Sequence, residues 1–214
     1  MKKRVLIPAG ILVTGLLSAV IFAGPLVHGN DQPTTADLSV PKTVQTSNQT
    51  ATVKQVTGTT ANAKVTYQQS GQSQPTATYQ QTTEATATKA KDVISNQDHS
   101  GETVKLSDGT KATEQGVMGH IYVSWRKGNW SVTTVTDTTQ TLRTDPEKLA
   151  TQVNQQLKNS GITNQAVDKG AVTVYSSAQD DTANQIKWQN NKQVENVKGQ
   201  QAATVYQIAN KVLN

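Results

Sequence analysis

The sequence predicts an α+β protein: a mainly antiparallel sheet with helices packed on it, preceded by an apolar N-terminal helix and a disordered polar linker. Three observations carry that expectation. An alternating hairpin pattern runs from His120 to Thr134, and amphipathic stripes follow at Leu149–Leu157 and Ala202–Val212. Before residue 61 the chain is either continuously apolar or dominated by Thr, Gln, Ser, Ala and Asn.

Composition sets the limits. The 214 residues are 34% hydrophobic and 4% aromatic, too few to spread one core evenly along the chain. The division expected is a signal peptide or membrane anchor over 1–29, a Thr/Gln-rich linker over 30–60 and a folded domain over 61–214, most secure from 101. The absence of cysteine excludes a disulfide framework, a thiol nucleophile and Cys-ligated metal. Lys2, Lys3 and Arg4 supply +3 of the net charge of +5, and no basic cluster follows. Nucleic acid is therefore not an expected partner, because it requires lysine and arginine concentrated on one face.

The elements follow in order. Lys2–Arg4 precede an apolar run from Val5 to Ala23, which is long enough to span a bilayer as a helix. Pro25 ends that helix for want of an amide donor. Either a signal cut after Gly29 or an uncut anchor places the rest of the chain outside the cytoplasm, secreted or anchored by residues 5–23. No other contact with the membrane is expected. Residues 31–60, with Pro33 and Pro41, have too few large apolar groups to offset the entropy of ordering. Ala63 to Tyr67 alternates like a strand, Gly71 to Pro75 reads as loop, and Glu84 to Ser95 as a helix weakened by its threonines.

Thr103 to Leu106 is strand-like and Ser107-Asp108-Gly109 a turn. Ile121, Val123 and Trp125 share one face of a strand, and Trp130, Val132 and Thr134 share one face of the returning strand. A turn at Arg126–Asn129 that pairs Trp125 with Trp130 also pairs Val123 with Val132 and Ile121 with Thr134. Thr144-Asp145-Pro146-Glu147 reads as a capping box opening a helix with Leu149, Val153 and Leu157 inward, and Gly161 ends it. Three strands, Ala171–Tyr175, Gln185–Gln189 and Lys192–Val197, precede a last helix. Asn190-Asn191 is the expected turn between the second and third of them.

The segments Thr103–Gly109, Gly119–Trp125, Gly128-Asn129-Trp130, Pro146–Ala150, Ile186–Gln189 and Ile208-Ala209 resemble, in order and spacing, a group of secreted or lipid-anchored proteins of Gram-positive bacteria with no assigned activity. The resemblance covers residues from about 60 onward. It implies an envelope-facing α+β domain and offers no catalytic residues to carry over. The chain departs from that group at the anchor, where no cysteine is present to acylate.

Candidate chemistry is sparse. His28, His99 and His120 lack a metal-ligand spacing, and no metal or cofactor is expected. Ser124-Trp125-Arg126-Lys127 matches Ser-x-x-Lys, but residues three apart on a strand point to opposite faces. Asp180-Asp181, with Asp168 nearby, lacks a calcium-loop pattern. Trp125, Trp130 and Trp188 read as core, because each shares a face with Ile or Val. Tyr122, Tyr175 and the turn residues Arg126, Lys127 and Asn129 are the expected exposed recognition residues. No catalytic residue is assigned. Two functions fit: an extracytoplasmic binding module for wall polymer or an envelope protein, or an envelope hydrolase built on unmarked carboxylates among Asp145, Glu147, Asp180 and Asp181.

Overall fold

The computed structural model describes residues 32–47, 49–95, 100–140, 144–178 and 182–214. The apolar N-terminal run, His28, His99, Asp180 and Asp181 lie outside the described residues. Among the described residues no helix is long and apolar enough to cross a membrane.

The α+β expectation is overturned. The described chain is dominated by one eleven-stranded mixed sheet, against three α-helices of which the first has six residues. The strands are β1 (Thr43–Gln45), β2 (Thr50–Gly58), β3 (Asn62–Gln69), β4 (Ala77–Thr83), β5 (Glu102–Lys105), β6 (Lys111–Val117), β7 (His120–Lys127), β8 (Trp130–Asp137), β9 (Lys169–Tyr175), β10 (Asn184–Asn190) and β11 (Gln193–Gly199). They are ordered β1-β2-β3-β4-β11-β10-β9-β8-β7-β6-β5, and only β8 and β9 pair in parallel. The helices are α1 (Ala87–Asp92), α2 (Pro146–Ser160) and α3 (Ala202–Leu213).

The disordered linker of the same expectation is overturned with it. Residues 43–45 and 50–58 are strands of this sheet, and Leu38, Val40, Val44 and Ala51 belong to its core. The Tyr67 hydroxyl donates to the Pro41 carbonyl at 2.8 Å, tying the entering segment down. The physical reason lies in side-chain size. Ala51, Ala63, Val65, Tyr67, Ala77 and Tyr79 alternate inward, while Thr and Gln, which tolerate a pleated surface, face outward. An inward series of mostly small residues is easily read as low complexity.

One face of the sheet carries the main core. Val65, Tyr79, Val197, Ile186, Val172, Val132 and Val123 lie along it, covered by Ala150, Val153 and Leu157 of α2 and by Val205, Ile208 and Ala209 of α3. Asp145 caps α2 by accepting from the Lys148 amide at 2.9 Å, and Pro146 fills the first turn. The cap is therefore Asp145 rather than Thr144. Gly161 takes the left-handed conformation that ends the helix. Gly170 lies directly under the Trp130 ring, where a Cβ would sit 2.3 Å from a ring carbon.

Two hairpins share one design. Trp125 pairs with Val132 and Trp188 with Glu195, each seven residues on. Both turns are two residues long, and the positive φ falls three residues after each tryptophan, at Gly128 and Asn191. A helix follows each hairpin onto the same face. The first hairpin thus sits two residues away from the expected Trp125–Trp130 register. An even shift keeps every side chain on its expected face, so the tryptophans remain core residues.

Candidate binding face of the sheet

The opposite face is partly bare. Of the three helices, only α1 lies on it: Lys187 Nζ, Gln189 Nε2 and Lys169 Nζ donate to the carbonyls of Val93, Ala87 and Lys91 at 2.7, 3.0 and 3.0 Å. To one side of α1, strands β2, β3, β4 and β11 turn a continuous polar surface outward. Register places Gln55, Thr66, Thr78, Lys198 and Gln185 in one row across five strands. The next row runs Thr57, Lys64, Gln80 and Asn196. Neighbouring strands are ~4.8 Å apart, so the first row spans ~19 Å. Lys64 and Lys198 are exposed, the others exposed or half-buried. No carboxylate stands on the outward side within these four strands, and Glu84, just past the end of β4, acts on Lys187 beside the second row. The surface offers hydroxyl and amide hydrogen-bonding groups plus two ammonium groups.

The residues expected from sequence are divided by the structure. Tyr122 and Tyr175 come together, since both pair with Val135 on the outward face. Burial raises the Tyr175 pKa, with Tyr122 adding to the effect. Arg126 lies exposed on that face, beside Ser131. Lys127 points to the core side and donates to Asn164 Oδ1 at 2.5 Å, and Asn129 Nδ2 donates to the Val167 carbonyl at 2.8 Å. These two hold the 162–167 segment against the turn.

Among the described residues, carboxylates gather at the outer strands: Glu102 pairs with Glu114 across β5 and β6, and Asp145 and Glu147 lie near enough to act on Glu114. Asp145 is a helix cap, and Glu147 is exposed in the first turn of α2. Both act electrostatically on Glu114, whose pKa is raised chiefly by burial and then by Glu147, Asp145 and Glu102. Among the described residues the most buried carboxylate is Glu195, on the core side of β11. Its Oε1 accepts from Gln193 Nε2 at 2.9 Å, while Oε2 is buried without a partner. Burial pushes its pKa up to about 7 against the favourable influence of Gln193, Trp188 and Tyr79. Glu195 and Glu114 are five strand spacings apart in the sheet, ~24 Å, far beyond the ~5–10 Å that a carboxylate pair needs for glycoside hydrolysis. No group of three or more His, Asp or Glu among the described residues is placed to hold a metal ion.

Sequence reasoning missed both the polar face and Glu195. The signal for the face was the Thr/Gln alternation with Ala, Val and Tyr. The signal for Glu195 was a lone carboxylate between Val194 and Val197 in an otherwise strand-like run.

Comparison with protein-family models, with curated proteins and with solved structures finds no match to the chain.

Proposed function

We propose that the protein is a non-catalytic, extracytoplasmic binding module of the cell envelope. Its ligand is a linear, hydroxyl-bearing polyanion of the wall. The observation that carries the reading is the outward surface of β2–β4 and β11, a field of Thr, Gln and Asn with exposed Lys64 and Lys198 and no carboxylate within those strands. Hydroxyls and amides both donate to and accept from polyol or sugar hydroxyls, and the two lysines supply charge complementarity. Strand-to-strand twist of ~20° rotates successive rows, so a flexible chain follows the surface better than a stiff duplex. The rows carry no aromatic ring on which unpaired bases could stack. The Lys2–Ala23 pattern supports export.

The test is co-sedimentation and calorimetry with a purified glycerol-phosphate polymer, an acidic polysaccharide and a neutral glucan. The expected result is binding to at least one polyanion that weakens with salt and falls about tenfold in the Lys64→Gln/Lys198→Gln double variant. Binding to none of the polymers, or equal binding by the double variant, overturns the reading. Release of soluble fragments from the polymer would revive the hydrolase.

A further inference from the structure

The Glu195 carboxyl occupies a place that the fold itself does not require to be polar. In the sister hairpin the same register position, seven residues after the tryptophan, is Val132, fully buried. Glu195 is 9% exposed and leaves Oε2 without a hydrogen bond. An unpaired buried carboxylate oxygen is costly when charged and far less so when it carries a proton. Its place in the topology gives that cost a consequence. β11 is the strand that joins β1–β4 to the rest of the sheet, through β4 on one side and β10 on the other. Glu195 pairs with Gln81 of β4 and with Trp188 of β10. Around it, Tyr79 Oη donates to Gln81 Oε1 at 2.9 Å, and Gln81 Nε2 donates to the Thr60 carbonyl.

We infer that Glu195 is a proton-operated latch on the seam between β4, β11 and β10, closed when the carboxyl is protonated and loosened when it ionises. The groups that bear on it are Gln193 from its own strand, Trp188 from β10 and Tyr79 from β4, and none of them is a cation. α3, which packs over the same face, brings the titratable groups Tyr206 and Lys211. Tyr206 is buried with its pKa raised by desolvation, and Lys211 is exposed. The ionised form therefore gains no countercharge from its surroundings. The strands on the far side of the seam, β2–β4, carry most of the polar face, so loosening the latch frees the part of the sheet that bears the proposed binding surface. The latch itself does not depend on the binding proposal.

The experiment is native-state hydrogen exchange on the wild type, Glu195→Gln and Glu195→Val between pH 5 and pH 8.5, with rates corrected for intrinsic exchange. In the wild type, protection of the β4 and β11 amides is expected to fall by between one and two orders of magnitude as pH rises from 5 to about 7, and to level off above that. In Glu195→Gln and Glu195→Val it is expected to stay level. The β7 and β8 amides, whose hairpin holds Val132, are expected to show no such step in any variant. A level profile in the wild type, or the same step in both variants, overturns the inference. Polymer binding measured in parallel separates the two ideas: a pH step without any binding removes the proposed function and leaves the latch standing.

Discussion

The hairpins β7–β8 and β10–β11 share turn length, register, an inward tryptophan and the helix that follows, and two of their differences bear on packing and backbone geometry. Val132 and Gly128 in the first become Glu195 and Asn191 in the second. The first hairpin takes the residues that packing and backbone geometry ask for. The second carries a buried acid and a non-glycine residue with φ of 54°. A repeated scaffold thus shows which departures the fold does not demand, and those are the positions where another role is to be sought.

Breaking the common feature has the largest expected effect. Trp125→Ala and Trp188→Ala each remove a buried ring, 5% and 1% exposed, and should cost ~3–5 kcal/mol in urea unfolding, with similar losses in the two hairpins. The next effect separates them. Glu195 holds its proton more tightly in the folded chain, where its pKa is about 7, than in the unfolded chain, near 4.5. The folded state therefore binds more protons across that window, and stability falls as pH rises from about 4.5 to about 7. Glu195→Val should raise stability at pH 8 by on the order of 2–3 kcal/mol and flatten this profile, whereas Val132→Glu should introduce one. Asp145→Ala removes the α2 cap and should cost ~1 kcal/mol at neutral pH. Smallest is the turn: Asn191→Gly should stabilise by a few tenths to ~1 kcal/mol, and Gly128→Ala should destabilise by about as much, both read as shifts in the urea midpoint.

The legible parts of the sequence were those with large inward residues. Ile121, Val123 and Trp125, the Leu149–Val153–Leu157 stripe and the Ile208-Ala209 face each mark an element that the structure contains. The β7–β8 register slipped by two because Thr134 and Thr136 are equally acceptable buried partners for Val123 and Ile121. β6 went unseen because its inward residues, Ala112, Glu114 and Gly116, give no apolar alternation. β1, β2 and β4 were lost for a related reason: their inward residues include alanines and isolated valines, and threonine outside reads as linker composition although it suits a strand. The polar face disappeared with those strands. Tyr122, Tyr175 and Arg126 were placed on the outward side by alternation alone. Lys127 and Asn129 were not, because their partners at 164–167 lie across the fold, where local spacing gives no information.

Both the polar face and the seam require β1–β4, between residues 43 and 83, to be strands of the sheet. Lys54 and Lys64 make this directly measurable, because each lies within a strand, β2 or β3, and each is a cleavage point for a lysine-specific protease. Timed limited proteolysis of the full chain at pH 6, read by mass spectrometry, is the decisive measurement. The structure predicts that both sites resist cleavage until the sheet unfolds, at rates that fall with the global stability. Cutting at Lys54 and Lys64 as fast as in an unfolded peptide, with residues 101–214 left intact, would contradict it.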